Sequence, residues 1–343
     1  MSALRTLSHW SRTLCVRNQK GLTTVMDWIF VGLGLIILLL AGDVLVKGAV
    51  NLSLRMGIPA LIVSLTIVAF GTSAPELLIA IQAVTEGAPG IAMGNVVGSN
   101  TANVLLVLGV PAITTGLHSS ECNTRKTYLY MILATLIFIG VCFGGPLTWV
   151  HGVGLLVVLT YILFDQAREA NRHRKAGRDC APCDELEELE GADENMPGWQ
   201  IGLFLVLGLI GLPLGAELLV EGAVDIARDF GISETVIGLT LVAVGTSLPE
   251  LATTVMAALR RQADVALGNV IGSNMFNLLA IIGIASLIGD IPVDPQFLKL
   301  DIWVMLSASL LLFPFVFLRW NITRAWGIFF CVLYVAYMCA ILS

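Results

Sequence analysis

Two hexapeptides carry the residue types that could do chemistry: Gly71-Thr72-Ser73-Ala74-Pro75-Glu76 and Gly245-Thr246-Ser247-Leu248-Pro249-Glu250. Each lies inside a long apolar run and sets a proline beside a glutamate. An ionised carboxylate in the middle of a membrane-spanning helix costs roughly 2.5–3.5 kcal/mol or more. A chain that meets this cost twice, at matched positions, is expected to use both carboxylates on one object, and a shared cation suits them. Pro75 and Pro249 have no N–H and clash with the carbonyl four residues back, at Gly71 and Gly245, so the helices are expected to open over 69–72 and 243–246. In lipid, the freed carbonyls must meet protein, water or an ion. A hard cation such as Ca²⁺ takes six to eight oxygens at about 2.3–2.6 Å. Two bidentate carboxylates plus the carbonyls of Thr72 and Thr246 supply six, and the two charges match one Ca²⁺ or two Na⁺. Neither stretch contains Cys or His, which disfavours a soft transition metal.

A second pair of motifs follows each hexapeptide. Gly94-Asn95-Val96-Val97-Gly98-Ser99-Asn100 with Asn103 is echoed by Gly268-Asn269-Val270-Ile271-Gly272-Ser273-Asn274 with Asn277. The GxxxG pairs allow close backbone approach. Ser99 and Asn103 are four apart, hence on one helix face, as are Ser273 and Asn277. These four are expected to line the site. For Asn95, Asn100, Asn269 and Asn274, plain interhelical hydrogen bonding is an equal alternative.

The elements that position these groups follow from composition. The 343 residues are 57% hydrophobic and 13% charged, against about a quarter charged in soluble domains. Apolar runs near the 20-residue bilayer length occur at about 28–52, 58–84, 89–115, 127–145, 148–166, 199–226, 232–259, 264–288, 297–318 and 323–342. The expected fold is an all-α polytopic membrane protein of ten transmembrane helices, with helices 2, 3, 7 and 8 broken by internal Gly, Pro, Ser, Thr and Asn. With the start of helix 1 outside, the inside loops carry Arg55, Arg125, Lys126, five basic residues between 168 and 178, Arg260, Arg261, Arg319 and Arg324; outside stand Arg228 and Lys299. This is the positive-inside pattern. Residues 167–197, basic then acidic, read as a solvated cytoplasmic linker, and the CxxC of Cys180 and Cys183 has no second pair to complete a zinc site. Residues 1–25 contain basic residues but no apolar signal region; either Met26 is the start, or this extension lacks regular structure.

An offset of 174 maps Glu76 on Glu250, Gly57-Ile58 on Gly231-Ile232, Thr66 on Thr240, Asn95 on Asn269, Asn103 on Asn277, Gly109 on Gly283 and Asp43 on Glu217. Five spans separate equivalent positions. The odd number inverts the second copy, giving two five-helix halves, 26–166 and 198–343, of opposite topology. Such folds place substrate near the midplane, where the halves meet.

GTSAPE with GNVVGSN, and GTSLPE with GNVIGSN, resemble the paired alpha-repeats of the cation/Ca²⁺ exchanger superfamily, most closely its prokaryotic sodium/calcium exchanger branch. The resemblance covers the plan from about residue 27 to the end. It implies antiport, with a Na⁺ gradient driving Ca²⁺ across the inner membrane of a bacterial-type cell, and no enzyme activity or cofactor. It implies Ca²⁺ ligation by Glu76, Glu250 and the carbonyls of Thr72 and Thr246. It also implies Na⁺ sites at Ala69, Thr72, Ser73 and Ser99 and at Ala243, Thr246, Ser247 and Ser273, with Asn103 and Asn277 lining the centre. Some relatives, including the potassium-dependent branch, carry Asp where this chain has Asn277, which argues against K⁺ co-transport here.

Asp43 and Lys47 are expected to pair, with Lys47 also reaching Glu221 across the halves; otherwise Glu217, Glu221 and Asp225 make an acidic entrance. The rival functions are a Ca²⁺/H⁺ antiporter, a passive cation channel, and a hydrolase using Ser73 or Ser247. A tight two-carboxylate cage suits fast conduction poorly, and no base stands near either serine in the sequence. Ca²⁺, Na⁺ and the bilayer are the expected partners, and nucleic acid is not.

Overall fold

Backbone in lipid must satisfy its polar groups within its own segment, which selects helices. A computed structural model of the chain describes residues 3–118, 124–176, 193, 196–232, 243–295 and 297–342, and the regular elements among them are helices. In order they are α1 (Ala3–Met56), α2 (Ala60–Thr72), α3 (Ala74–Thr85), α4 (Pro89–Thr114), α5 (Arg125–Phe143), α6 (Trp149–Ala176), α7 (Gly198–Asp229), α8 (Leu248–Leu259), α9 (Ala263–Ile288), α10 (Asp301–Phe317) and α11 (Arg324–Leu342). Seven of the described helices are long and apolar enough to cross a membrane, or eight with α2 and α3 counted as one bent span. The shorter apolar helices α8 and α10 lie where the seventh and ninth spans are expected. Residues 233–242, the start of the expected seventh span, and the Cys180–Cys183 pair lie outside the described residues.

Three expectations need correction. Residues 3–25 are helical and prolong the first span without a break, so this stretch has regular structure. The third and eighth spans are not broken. Each continues through a single π-helical turn, Asn103–Val107 in α4 and Asn277–Ile281 in α9. A π-turn widens the helix by one residue and absorbs the irregularity that Asn and Gly introduce, a device common at functional sites. In the second span the chain opens at Ser73 rather than over 69–72, with a further π-turn at Ser64–Val68.

The 174-residue offset reappears in the coordinates. Helix α8 begins at 248 and α3 at 74, a difference of 174, and both are twelve residues long. The two π-turns start at 277 and 103, again 174 apart. Two isolated bridges, Leu117 with Ile322 and Leu147 with Ile291, tie loops together, and Leu117 and Ile291 are repeat mates. The backbone takes the left-handed region at Gly87 and Gly145 in the first half and at their mates Arg261 and Arg319 in the second, with φ of 76°, 116°, 57° and 55°. That conformation costs an L-residue roughly 1–2 kcal/mol, more than the 0.3–1 kcal/mol or so that a cation gains at a helix C-terminus.

Burial sorts the helices. The most apolar windows of α4 and α9 are 78% and 83% buried, against 33% for α1 and 22% for α7. Helices α4 and α9 therefore cross at the centre. Helices α1 and α7 pack along each other on the outside and show rows of leucine, isoleucine and tryptophan to lipid. Leu38, Ala41, Leu45 and Ala49 of α1 meet Leu212 and Ala216 of α7, Val63 and Val68 of α2 and Ala252 of α8 in a second hydrophobic cluster beside the main core.

Candidate metal-binding centre

Proline is tolerated in the first turn of a helix, where its missing N–H is not needed. Pro75 and Pro249 therefore restart the chain as α3 and α8 just after a kink. The kink residues are Ser73 (φ −85°, ψ 5°) and Ser247 (φ −89°, ψ 5°), nearly identical in the two halves. At Ser73 the axis turns by 42° between α2 and α3. Glu76 and Glu250 fall in the first turns of α3 and α8, at the positive ends of those helices, which favours carboxylates there. Both glutamates are 0% exposed. Ser73, three residues before Glu76, donates to Oε1 of Glu250 at 3.2 Å, which brings the starts of α3 and α8 together.

Hydroxyls and amides from both halves surround the glutamates. Ser273 Oγ lies 3.5 Å from Glu250 Oε1. Thr72 Oγ1 lies 3.4 Å from Ser273 Oγ, and its repeat mate Thr246 Oγ1 lies 3.5 Å from Ser99 Oγ. These separations exceed the usual O–H···O distance of about 2.7–2.8 Å, so the hydroxyls are adjacent without being locked together. The amides are held more closely. Asn100 Nδ2 donates to the Asn274 carbonyl at 3.2 Å, and Asn274 Nδ2 to the Asn100 carbonyl at 3.3 Å. Asn277 Nδ2 donates to Asn100 Oδ1 at 3.0 Å, and Asn103 Nδ2 to Asn274 Oδ1 at 3.1 Å. This two-fold lattice spends the N–H groups of Asn103 and Asn277 on α4 and α9 and leaves each Oδ1 without a partner.

The hydrogen-bonding reading thus holds for Asn100 and Asn274. It also holds for Asn269, which accepts from Thr72 and donates to the Glu250 carbonyl and to Thr254. Asn95, half-buried, is not the equal of its mate Asn269. Ser99, Ser247, Ser273 and Thr72 are buried, as expected of site residues. Ala69 is buried, but its carbonyl already accepts from the Ser73 N–H at 3.1 Å and the Thr72 hydroxyl at 3.3 Å. Ala243 opens the short helical turn Ala243–Gly245, and its side chain lies outside the described residues.

Six buried oxygens in this set have no hydrogen-bond partner among the described residues: both of Glu76, Oε2 of Glu250, Oδ1 of Asn103 and Asn277, and Oγ of Ser247. Burying unpaired polar oxygen costs several kcal/mol per group, and an unpaired carboxylate far more. The atoms are nearly all pure acceptors, so positive charge relieves the cost better than any neutral donor. No cluster of three or more His, Cys, Asp or Glu side chains that could hold a metal occurs among the described residues. Two carboxylates with amide and hydroxyl oxygens form a donor set for a hard cation, not a soft one.

The charges away from the centre pair differently from expectation. Asp43 meets Lys47 at 3.0 Å but also Arg260, at the end of α8, at 2.5 Å. Lys47 does not reach Glu221. The antiparallel register sets Gly48 beside Leu205 and Gly222 beside Asp27, which puts Glu221 near the middle of α1, far along the helix from Lys47.

A family profile described as sodium/calcium exchanger protein matches residues 26–165 and 201–343. The chain is similar to the sodium/calcium exchanger MaX1 of Methanosarcina acetivorans, with 33% identity covering 91% of this chain and 97% of that one. It is also similar to the putative antiporter CaxA of Alkalimonas amylolytica, with 37% identity covering 83% and 88%. Among solved structures, the sodium-calcium exchanger NCX_Mj superposes with a TM-score of 0.77 at 33% identity, covering 93% of this chain and 99% of the other.

Proposed function

The chain belongs to the sodium/calcium exchanger protein family, membrane transporters rather than enzymes, and from that membership we propose that it exchanges Ca²⁺ for Na⁺ across the membrane by alternating access. Ca²⁺ is held by Glu76 and Glu250, with the carbonyls of Thr72 and Thr246 and the Oδ1 atoms of Asn103 and Asn277 nearby. Na⁺ takes flanking positions at Ala69, Thr72, Ser73 and Ser99 and at Ala243, Thr246, Ser247 and Ser273, sharing the glutamates. Two carboxylates balance one Ca²⁺ or two Na⁺, so the two ions compete for the same charge. Helices α1 and α7 move together against the remaining bundle, with the start of α1 outside and the 167–197 linker in the cytoplasm.

The observation that carries this reading is the set of six buried, unpartnered oxygens drawn from both halves around two fully buried glutamates. The close backbone approach of α1 and α7 at Gly34 and Gly215, with the large exposed apolar surface of both helices, supports the moving pair. Vesicles loaded with Na⁺ and diluted into Na⁺-free ⁴⁵Ca²⁺ test it. The chain is expected to drive uptake, and Glu76→Gln and Glu250→Gln each to abolish it. Uptake that follows an imposed pH gradient and ignores Na⁺ removes Na⁺ as the driving ion; unchanged uptake in either variant removes that glutamate from the site.

A further inference from the structure

We infer that the face carrying the arginine-rich loops holds a binding site for a phosphate group, and that the headgroup of an anionic glycerophospholipid supplies it. A cavity of about 600 Å³ opens there between the end of α4, the α8–α9 turn and the start of α11. Arg261 and Arg324 line it together with His118, and no Asp or Glu is among the described residues that line it. Helix α11 begins at the cavity with Arg324, and helix N-termini favour anions; α9 also begins there, at Ala263, but its first turn carries a carboxylate of its own, Asp264. The carbonyl ends of α4 and α8 also reach it, but they are occupied. Arg324 Nη2 donates to the Thr114 carbonyl at 3.1 Å, and the Arg261 N–H donates to the Ala258 carbonyl at 3.0 Å. The wall is fixed by the paired backbone bonds between Leu117 and Ile322, at 2.9 and 3.0 Å.

The bland explanation is that these arginines only set topology. Topology requires positive charge on one face but no particular backbone and no cavity. Arg261, however, stands in the left-handed region where its repeat mate is Gly87. The fold needs a left-handed residue at both helix ends, and glycine supplies it without strain in the first half. The second half keeps strained arginines at two such places, Arg261 and Arg319, and Arg261 is the one on the cavity wall. Two guanidinium groups suit the bidentate geometry of a phosphate, and the cavity lies where membrane-spanning helices end, at headgroup depth.

The inference is independent of transport and is tested on the full-length protein in an uncharged detergent. Phosphatidylglycerol, phosphatidylcholine or inorganic phosphate is added, with retained lipid read by native mass spectrometry and stability by thermal unfolding. Phosphatidylglycerol is expected to be retained and to raise the Tm, with phosphatidylcholine inert. Occupancy is expected to fall about 5-fold for each arginine removed, in Arg261→Gly and Arg324→Gln. Because glycine suits the backbone at 261, Arg261→Gly is expected to keep or raise the Tm without lipid, which separates lost binding from lost folding. Stabilisation by inorganic phosphate alone, sensitive to the same variants, overturns the lipid source and assigns the cavity to a soluble phosphate. Equal retention by wild type and both variants, or no preference over phosphatidylcholine together with no effect of phosphate, overturns the site.

Discussion

Asn100 and Asn274 decide which atoms Asn103 and Asn277 have left to offer. Each takes an amide N–H from its neighbour across the two-fold and returns its own to a backbone carbonyl. Removing one side chain unpairs a buried amide, at about 1–3 kcal/mol, and releases the orientation of the central asparagine. Asn100→Ala and Asn274→Ala are therefore expected to weaken Ca²⁺ affinity about 5- to 10-fold, measured by ⁴⁵Ca²⁺ binding to purified protein; unaltered affinity in both detaches the lattice from the site. Asn277→Asp adds a third carboxylate in reach of the centre. It is expected to change the Na⁺ and K⁺ dependence of counterflow while thermal unfolding stays close to wild type, and an unchanged ion dependence removes Asn277 from the site. The glutamates were legible from sequence because a buried charge in an apolar run is a local anomaly. The division between structural and ligand-facing asparagines was not, because each deciding bond joins residues 171 to 177 positions apart.

The kinks at Ser73 and Ser247 were legible to within a residue or two, since proline and glycine act on their own turn. The π-turns were not: Asn103 and Asn277 mark them, but a widened turn and a broken helix draw on the same residue types. The seam between α1 and α7 is likewise visible only in three dimensions. A Cβ on Gly215 would stand 2.8 Å from the Leu38 nitrogen and 3.0 Å from the Gly34 carbonyl oxygen, contacts with backbone that no rotamer change relieves. Gly215→Val is expected to push the helices apart, lower stability by about 1–3 kcal/mol and slow exchange, both measurable on one preparation by thermal unfolding and ⁴⁵Ca²⁺ counterflow. Wild-type values for both exclude a tight seam. The Asp43–Arg260 pair ties α1 to α8 at half-buried side chains. Arg260→Gln is expected to cost stability by no more than about 1 kcal/mol, as befits a partly exposed ion pair.

At the scale of the molecule, the repeat is the feature that sequence conveyed best. The offset of 174 recurs in helix ends, π-turns, loop bridges and left-handed positions. What it did not convey is where the halves differ. Glu250 accepts from Ser73 and has the Ser273 hydroxyl beside it, while both oxygens of Glu76 lack partners among the described residues, and Arg261 and Arg319 replace the glycines of the first half. Such differences come from tertiary neighbours, and an offset between identical letters is blind to them. The proposed inversion of the two halves has a topological consequence. Cysteines placed at the exposed repeat mates His118 and Pro292 are expected to react with an impermeant maleimide from opposite sides, His118→Cys from the cytoplasm and Pro292→Cys from outside; labelling of both from one side contradicts the inversion. The most direct test of the shared site is equilibrium ⁴⁵Ca²⁺ binding to the purified chain with Na⁺ as competitor. The expected result is one Ca²⁺ per chain, displaced by Na⁺, with affinity lowered at least about 100-fold in Glu76→Gln and equally in Glu250→Gln, as for one partner lost from a buried charge pair. Two independent sites, or full-affinity binding that survives loss of either glutamate, contradicts a single cation held between the halves.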